Sequence, residues 1–263
     1  MLLAEITDTH LMDGGVPAYG SIDTKAHLAA AVAKIAALTP KPDALLVAGD
    51  VSEDGTAGSY ALFREMVTPL GMPTYVVPGN HDARELMRAA FAPDNYMPAT
   101  GPLDYAADLG SLTLVALDTL EEGEPYGTFG PERCRWLGET LAALSGKPAI
   151  VMLHHPPFPT GMKLDEIGCR DGDAIGAVIE QFSNVEIVLS GHFHRSMHRN
   201  WAGTTANICS STAHQMGLDL VHRPGFKVYM EPPQIQLLHW QKEIGLSVHQ
   251  VPVGAFECVH ESG

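Results

Sequence analysis

The sequence predicts an α/β protein, and three observations predict it. Compact apolar runs alternate with segments of helical periodicity, the runs have strand length, and residues able to bind a metal recur where the runs end. With 263 residues, 45% of them apolar and 18% charged, the chain can bury a sizeable core and lacks the composition of a disordered segment. One large domain with a small appended element is the expectation.

The runs at 2–6, 44–48, 74–77, 112–117, 149–153 and 186–189 are apolar enough to lie in a sheet covered on both faces. Between them, 26–38, 59–69, 83–92, 132–144 and 173–182 read as helices. In the first of these, Leu28, Val32, Ile35 and Leu38 form one stripe. After about residue 202 the pattern changes to β-prone stretches at 204–209, 226–230, 234–240 and 246–251, with Pro and Gly between them. Residues 1–205 are therefore expected to form the core. Residues 206–263 are expected to form a C-terminal β segment that completes the second sheet or packs against another subunit.

The formal net charge is −15, from 31 acidic against 16 basic residues. Such a surface repels a phosphate backbone, which excludes duplex nucleic acid as a partner. No stretch approaches the ~20 apolar residues that cross a bilayer, and Met1 to Ile6 meets an acid without a basic region, unlike a signal peptide. The expectation is a cytoplasmic protein without a membrane partner. Cys134, Cys169, Cys209 and Cys258 show no C-x-x-C spacing and read as free thiols.

The chemistry lies at the strand ends. Five runs lead into Asp8-Thr9-His10, Gly49-Asp50, Gly79-Asn80-His81-Asp82, His154-His155-Pro156-Pro157 and Gly191-His192-Phe193-His194. In α/β proteins, side chains at the carboxyl ends of neighbouring strands converge on one crevice. Burying two carboxylates, an amide and several imidazoles together is costly unless cations pair with them. Imidazole with carboxylate and one amide oxygen, and no thiolate, suits Fe, Mn, Zn or Co better than Mg or Ca. Seven candidate ligands exceed one open coordination sphere, so two divalent metals are expected. A metal pair activates a bridging water for in-line attack on an anionic phosphate, and a nearby imidazole serves the leaving alkoxide. Gly49, Gly79 and Gly191 each precede a candidate ligand, where close approach of the main chain favours glycine.

The five blocks, in this order, resemble the calcineurin-like metallophosphoesterases, and within them the bacterial glycerophosphodiesterases and class III cyclic-nucleotide phosphodiesterases. Tyr19-Gly20, Asp23, Pro42-Asp43 and the 211–215 stretch extend the resemblance over most of residues 1–220. It implies a four-layer αββα sandwich and a metal-dependent phosphodiesterase acting on a cyclic nucleotide or glycerophosphodiester type of substrate. It also implies that Asp8, His10 and His194 hold one metal, that Asn80, His154 and His192 hold the other, and that Asp50 bridges both. His81 would face the substrate phosphate as leaving-group acid or charge stabiliser, with Asn80 and His214 as further candidate substrate contacts. For His214 a structural role is equally open, and for His155 packing is at least as good a reading as ligation. Asp82 reads as an orienting partner or a helix N-cap, and selectivity is expected from the loops around Tyr19, Tyr60 and Met162.

The block Asp50-Val51-Ser52-Glu53 lacks the Asp-Arg-Gly of the family's protein phosphatases, and Asp82 stands where they carry Glu. The expected function is hydrolysis of a small anionic phosphodiester by a homo-oligomer, a dimer or larger. The alternative is a phosphomonoesterase or nucleotide pyrophosphatase on the same scaffold.

Overall fold

The computed structural model describes residues 1–260, and the last three residues of the expected C-terminal β segment, 261–263, lie outside the described residues. The apolar runs form parallel strands joined through helices, as parallel pairing requires a crossover. Chain order is β1 (Leu2–Ile6), α1 (Thr24–Ala36), β2 (Ala44–Val47), α2 (Ala57–Val67), β3 (Thr74–Val76) and α3 (Arg84–Phe91). Next come β4 (Tyr105–Asp108), β5 (Thr113–Leu117), α4 (Pro131–Ala143), β6 (Ala149–Leu153), α5 (Gly172–Ile179) and β7 (Val185–Ser190). The remaining strands are β8 (Met197–Trp201), β9 (Thr204–Ile208), β10 (Gln215–Met216), β11 (Val228–Tyr229), β12 (Gln234–Gln241) and β13 (Gly245–Pro252).

Two sheets stack face to face. One runs β13-β12-β1-β2-β3, the other β4-β5-β6-β7-β9-β8. Strand alternation sorts the side chains into layers. In β2, Leu45 and Val47 pack under Leu28 and Ile35 of α1, Phe63 of α2 and Phe91 of α3. Ala44 and Leu46 point the other way, against Leu114, Ala116, Ile150 and Met152 of the second sheet. That sheet turns Val115, Val151 and Leu153 outward to Leu137 and Leu141 of α4 and Ile175 and Ile179 of α5. The result is the four-layer αββα sandwich.

Three strands escape sequence reading, the two-residue β10 and the strands β4 and β8 at the edges of the larger sheet. In β4 the sequence Tyr-Ala-Ala-Asp offers little bulk, and β8 reads Met-His-Arg-Asn-Trp, polar through its middle. Edge strands face solvent and carry such residues. The expected boundary between residues 205 and 206 falls inside β9, and the strands beyond it go to both sheets. β9 lies between β7 and β8, while β12 pairs antiparallel with β1 in the other sheet. The expected run 226–230 is reduced to the two residues of β11, paired with β10.

Candidate metal centre

All five blocks emerge at the carboxyl ends of their strands. β1, β2 and β3 of one sheet deliver Asp8, His10, Asp50, Asn80 and His81, and β6 and β7 of the other deliver His154, His192 and His194. The main chain must turn sharply to aim them. Asp8, His10, Asp50, His192 and His194 all have positive φ, between 45° and 68°. That region costs a non-glycine residue energy, and such strain gathers at functional sites. A Cβ at Gly49 would strike the His154 ring, one at Gly79 the Asp50 carboxylate, and one at Gly191 the Thr7 hydroxyl. Close approach is thus the role of all three glycines.

The hydrogen bonds fix where the lone pairs point. His10 donates from Nδ1 to Glu53 Oε2 at 2.6 Å, and His194 from Nδ1 to the His214 carbonyl at 3.0 Å. Their Nε2 atoms are then both bare acceptors, yet they face each other at 3.0 Å. His154 donates from Nδ1 to the Ala48 carbonyl at 2.7 Å, so its buried Nε2, 3.3 Å from Asp50 Oδ2, is also a lone pair against an acceptor. Asp8 Oδ1 lies 3.2 Å from His194 Nε2 and 4.0 Å from His154 Nε2. His192 directs Nε2 to the Ile167 carbonyl at 3.0 Å and leaves Nδ1 free. Among the described residues, neither Asn80 Oδ1 nor His154 Nε2 has a hydrogen-bond partner, although both atoms are buried. Acceptors converging without donors are costly unless a cation lies among them. The donor set therefore fits divalent metals, each imidazole being oriented through its other nitrogen.

The electrostatics agree. Burial pushes the Asp8 and Asp50 carboxyls up, but His194 and His154 hold Asp8 below the usual carboxylate range, and His154 with His10 and His81 holds Asp50 well below it. Burial disfavours the His154 imidazolium, yet Asp50 and Asp8 raise it to about 9. His194 is raised by the same two acids against its burial. Two buried carboxylates thus draw positive charge, a proton or a metal, onto their neighbours. His192, lowered to about 3 by burial and by His154, is a neutral imidazole suited to ligation.

Every expected site residue is near this cluster. His81 is a third exposed, donates its main-chain N–H to Asp50 Oδ1 at 2.9 Å and stands edge-on to His10. His214 is fully buried against His194 and His10, with neither ring nitrogen bonded, so its Nε2 or Nδ1 joins His10 and His194 in a possible ligand group. His155 is buried, bonded to Thr119 Oγ1 at 2.8 Å, and its ring meets those of His154 and His192. Asp82 is not a helix cap, since Ala83 holds that position. Its carboxylate instead accepts from the N–H groups of Val51, Ser52 and Gly79 and from the Tyr60 hydroxyl, which ties two ligand loops together. Tyr60 is accordingly buried, whereas Tyr19 is exposed beside His214. Glu53 is the residue that sequence reading missed. It pairs with His10 and lies 3.5 Å from His81 Nδ1. An acid three residues after Asp50, in the loop that carries it, was the available signal.

Known proteins are similar to this chain in sequence and in fold. The chain is 31% identical over 259 residues to a probable glycerophosphodiester phosphodiesterase GpdQ of Arcobacter nitrofigilis, covering 98% of this chain and 95% of that one. It is 30% identical over 222 residues to a cAMP/cGMP dual specificity phosphodiesterase of Mycobacterium tuberculosis, covering 82% and 69%. The fold superposes on a dimetal phosphatase from Danio rerio with a TM-score of 0.65 at 13% identity, over 97% of this chain and 99% of that one. The family model described as calcineurin-like phosphoesterase matches residues 1–196, and the chain belongs to that family.

Proposed function

We propose that the chain is a metal-dependent phosphodiesterase that hydrolyses a small anionic phosphodiester at a pair of divalent cations. The carrying observation is the set of opposed ring nitrogens and carboxylates, His10 Nε2 against His194 Nε2 and His154 Nε2 against Asp50, which a cation among them reconciles without disturbing the bonds at Nδ1. Asp8, His10 and His194 would hold one ion, Asn80, His154 and His192 the second, and Asp50 would be shared. When bound, such ions supply an activated water nucleophile and neutralise charge on the phosphate. Fe, Mn, Zn and Co suit the imidazole-rich set.

The protein's own groups do the rest. Asp82 and Glu53 orient the loops and rings. His81, partly exposed at the rim and anchored through its N–H on Asp50, is placed to stabilise or protonate the leaving oxygen. His214, lowered to about 3 by burial and by His194 and His10, offers a neutral ring to the substrate side. The relatives named as glycerophosphodiester and cyclic-nucleotide phosphodiesterases support a diester over a monoester.

The test is paired turnover of bis-p-nitrophenyl phosphate and p-nitrophenyl phosphate by protein loaded with Mn²⁺, Co²⁺, Zn²⁺ or Fe²⁺. The diester is expected to have the higher kcat/KM. The reverse order favours the monoesterase, and no turnover of either rejects the reading.

A homo-oligomer is part of the same proposal. Leu220, Val221, Val228 and Met230 stand 36–67% exposed within eleven residues of sequence, a patch suited to a second copy. Light scattering that finds only monomer would reject it. Cytoplasmic residence is supported by the four free thiols, of which Cys258 is exposed. No helix among the described residues is long and apolar enough to cross a membrane.

A further inference from the structure

We propose that the groove between residues 162–167 and 216–229 holds the half of the diester that lies off the metals, and that it selects an ester group carrying an aromatic ring and a second negative charge, as a nucleoside phosphate does. This rests on the phosphodiesterase reading and narrows its substrate class.

Position comes first. The groove encloses 420 Å³, a volume suited to a small organic ligand. Both walls are fastened to the metal-site histidines. The Ile167 carbonyl accepts from His192 Nε2 at 3.0 Å, and the Met216 N–H donates to the His194 carbonyl at 3.3 Å. The groove is therefore tied to the two loop residues, His192 and His194, that belong to the candidate metal centre.

Its lining then names the ligand. Met162, Leu164 and Leu218 give an apolar floor, and Phe226 and Tyr229, 68% and 46% exposed, present aromatic faces. Tyr229 packs close to Gly217, where a Cβ would come within 2.7 Å of its Cε2, so the ring is held in place while nearly half of the residue stays exposed. Aromatic faces of this kind stack on rings, and nucleobases stack on them well.

In a chain of net charge −15, three of the 16 basic residues, Lys163, Arg223 and Lys227, line this one groove. Two acids, Glu166 and Asp219, line it too, but Asp219 is engaged by the Val221 and Arg223 N–H groups of its own loop. Among the described residues, neither the Lys163 nor the Lys227 ammonium has a hydrogen bond or an ion pair. Unpaired ammonium groups beside stacking faces recognise an anion attached to a ring. Glycerol-based diesters with an uncharged or cationic second alcohol use neither feature.

The reaction is hydrolysis. The oxygen of water bonds to phosphorus, one phosphorus–oxygen ester bond breaks, and the departing alkoxide takes up a proton. The experiment compares kcat/KM for the dinucleotide ApA, its 3′-phosphorylated form ApAp, and glycerophosphoethanolamine. ApAp is expected to be preferred over ApA, and both over the ringless diester. The double substitution Lys163→Ala with Lys227→Ala should cut ApAp by about tenfold, the size of a lost charge-assisted contact, and leave ApA and bis-p-nitrophenyl phosphate within about twofold. Phe226→Ala with Tyr229→Ala should lower both dinucleotides while glycerophosphoethanolamine is unaffected. Equal rates for ApA and ApAp, or an ApAp advantage that survives loss of both lysines, overturns the proposal. Loss of bis-p-nitrophenyl phosphate turnover in the native protein would instead bring down the phosphodiesterase reading beneath it.

Discussion

Glu5 sits within β1, facing between the sheets, fully buried and, among the described residues, with neither carboxylate oxygen bonded. Burial raises its pKa from 4.5 to about 8, so the folded protein keeps this side chain neutral at pH 7. An unfolded chain releases the proton above pH 4.5. The sign follows from linkage: Glu5 favours the folded state fully below pH 4.5, and that contribution is lost as pH rises through 8. At about 1.4 kcal/mol per pH unit, the interval between 4.5 and 8 sets a ceiling on the order of 5 kcal/mol. Glu5→Gln removes the titration and keeps the shape. Urea unfolding of both proteins, identically loaded with metal, should give similar stabilities at pH 5. The variant should pull ahead as pH rises, by roughly 2–5 kcal/mol at pH 8. The same metals and the same remaining acids cancel in the difference. A gap that does not change between pH 5 and pH 8 would refute a neutral buried Glu5.

Other perturbations address the site. Asp50→Ala should abolish paired metal binding together with turnover, and metal analysis of the purified variant that still finds two ions per chain would remove Asp50 from the shared position. His81→Ala should keep both ions and lower kcat by about 10²–10⁴-fold, most for poor leaving groups. A uniform loss across leaving groups would argue against proton donation. Glu53→Ala releases His10 Nδ1 and should weaken metal affinity or activity about 10–100-fold, which titration of the apoprotein with Mn²⁺ measures. Asp82→Ala strands three main-chain N–H groups and the Tyr60 hydroxyl, and should cost on the order of 3 kcal/mol in thermal unfolding.

The α/β alternation and the candidate ligands were legible because each depends on local sequence: strand-length apolar runs, helical stripes, and polar residues at run ends. What escaped depends on distant partners. β8 has no apolar pattern of its own and exists because β9 offers it a ladder. β12 reads equally well as a strand of either sheet, and its pairing with β1 is a matter of topology. Asp82 precedes a helix, so a cap and an orienting role are both local expectations, and the main-chain donors of Val51 and Ser52, some thirty residues away, decide between them by claiming its carboxylate. Glu53 carries no role in the sequence reading because nothing near it in sequence shows that His10 arrives there. The positive φ values at five ligands are invisible in sequence, because Asp and His do not announce that backbone as glycine does.

The candidate ligands come from both halves of the sandwich, with Asp8, Asp50 and Asn80 on one side and His154, His192 and His194 on the other. Any ion they share is a clasp between the layers as well as a reagent. Chelation should therefore loosen the closure of the two sheets at that end and lower the melting temperature, and restoring the ion should reverse both. In this architecture the cost of the positive-φ residues in three of the loops and the gain from capturing a cation would be met at the same point, so folding and catalytic readiness would rise and fall together.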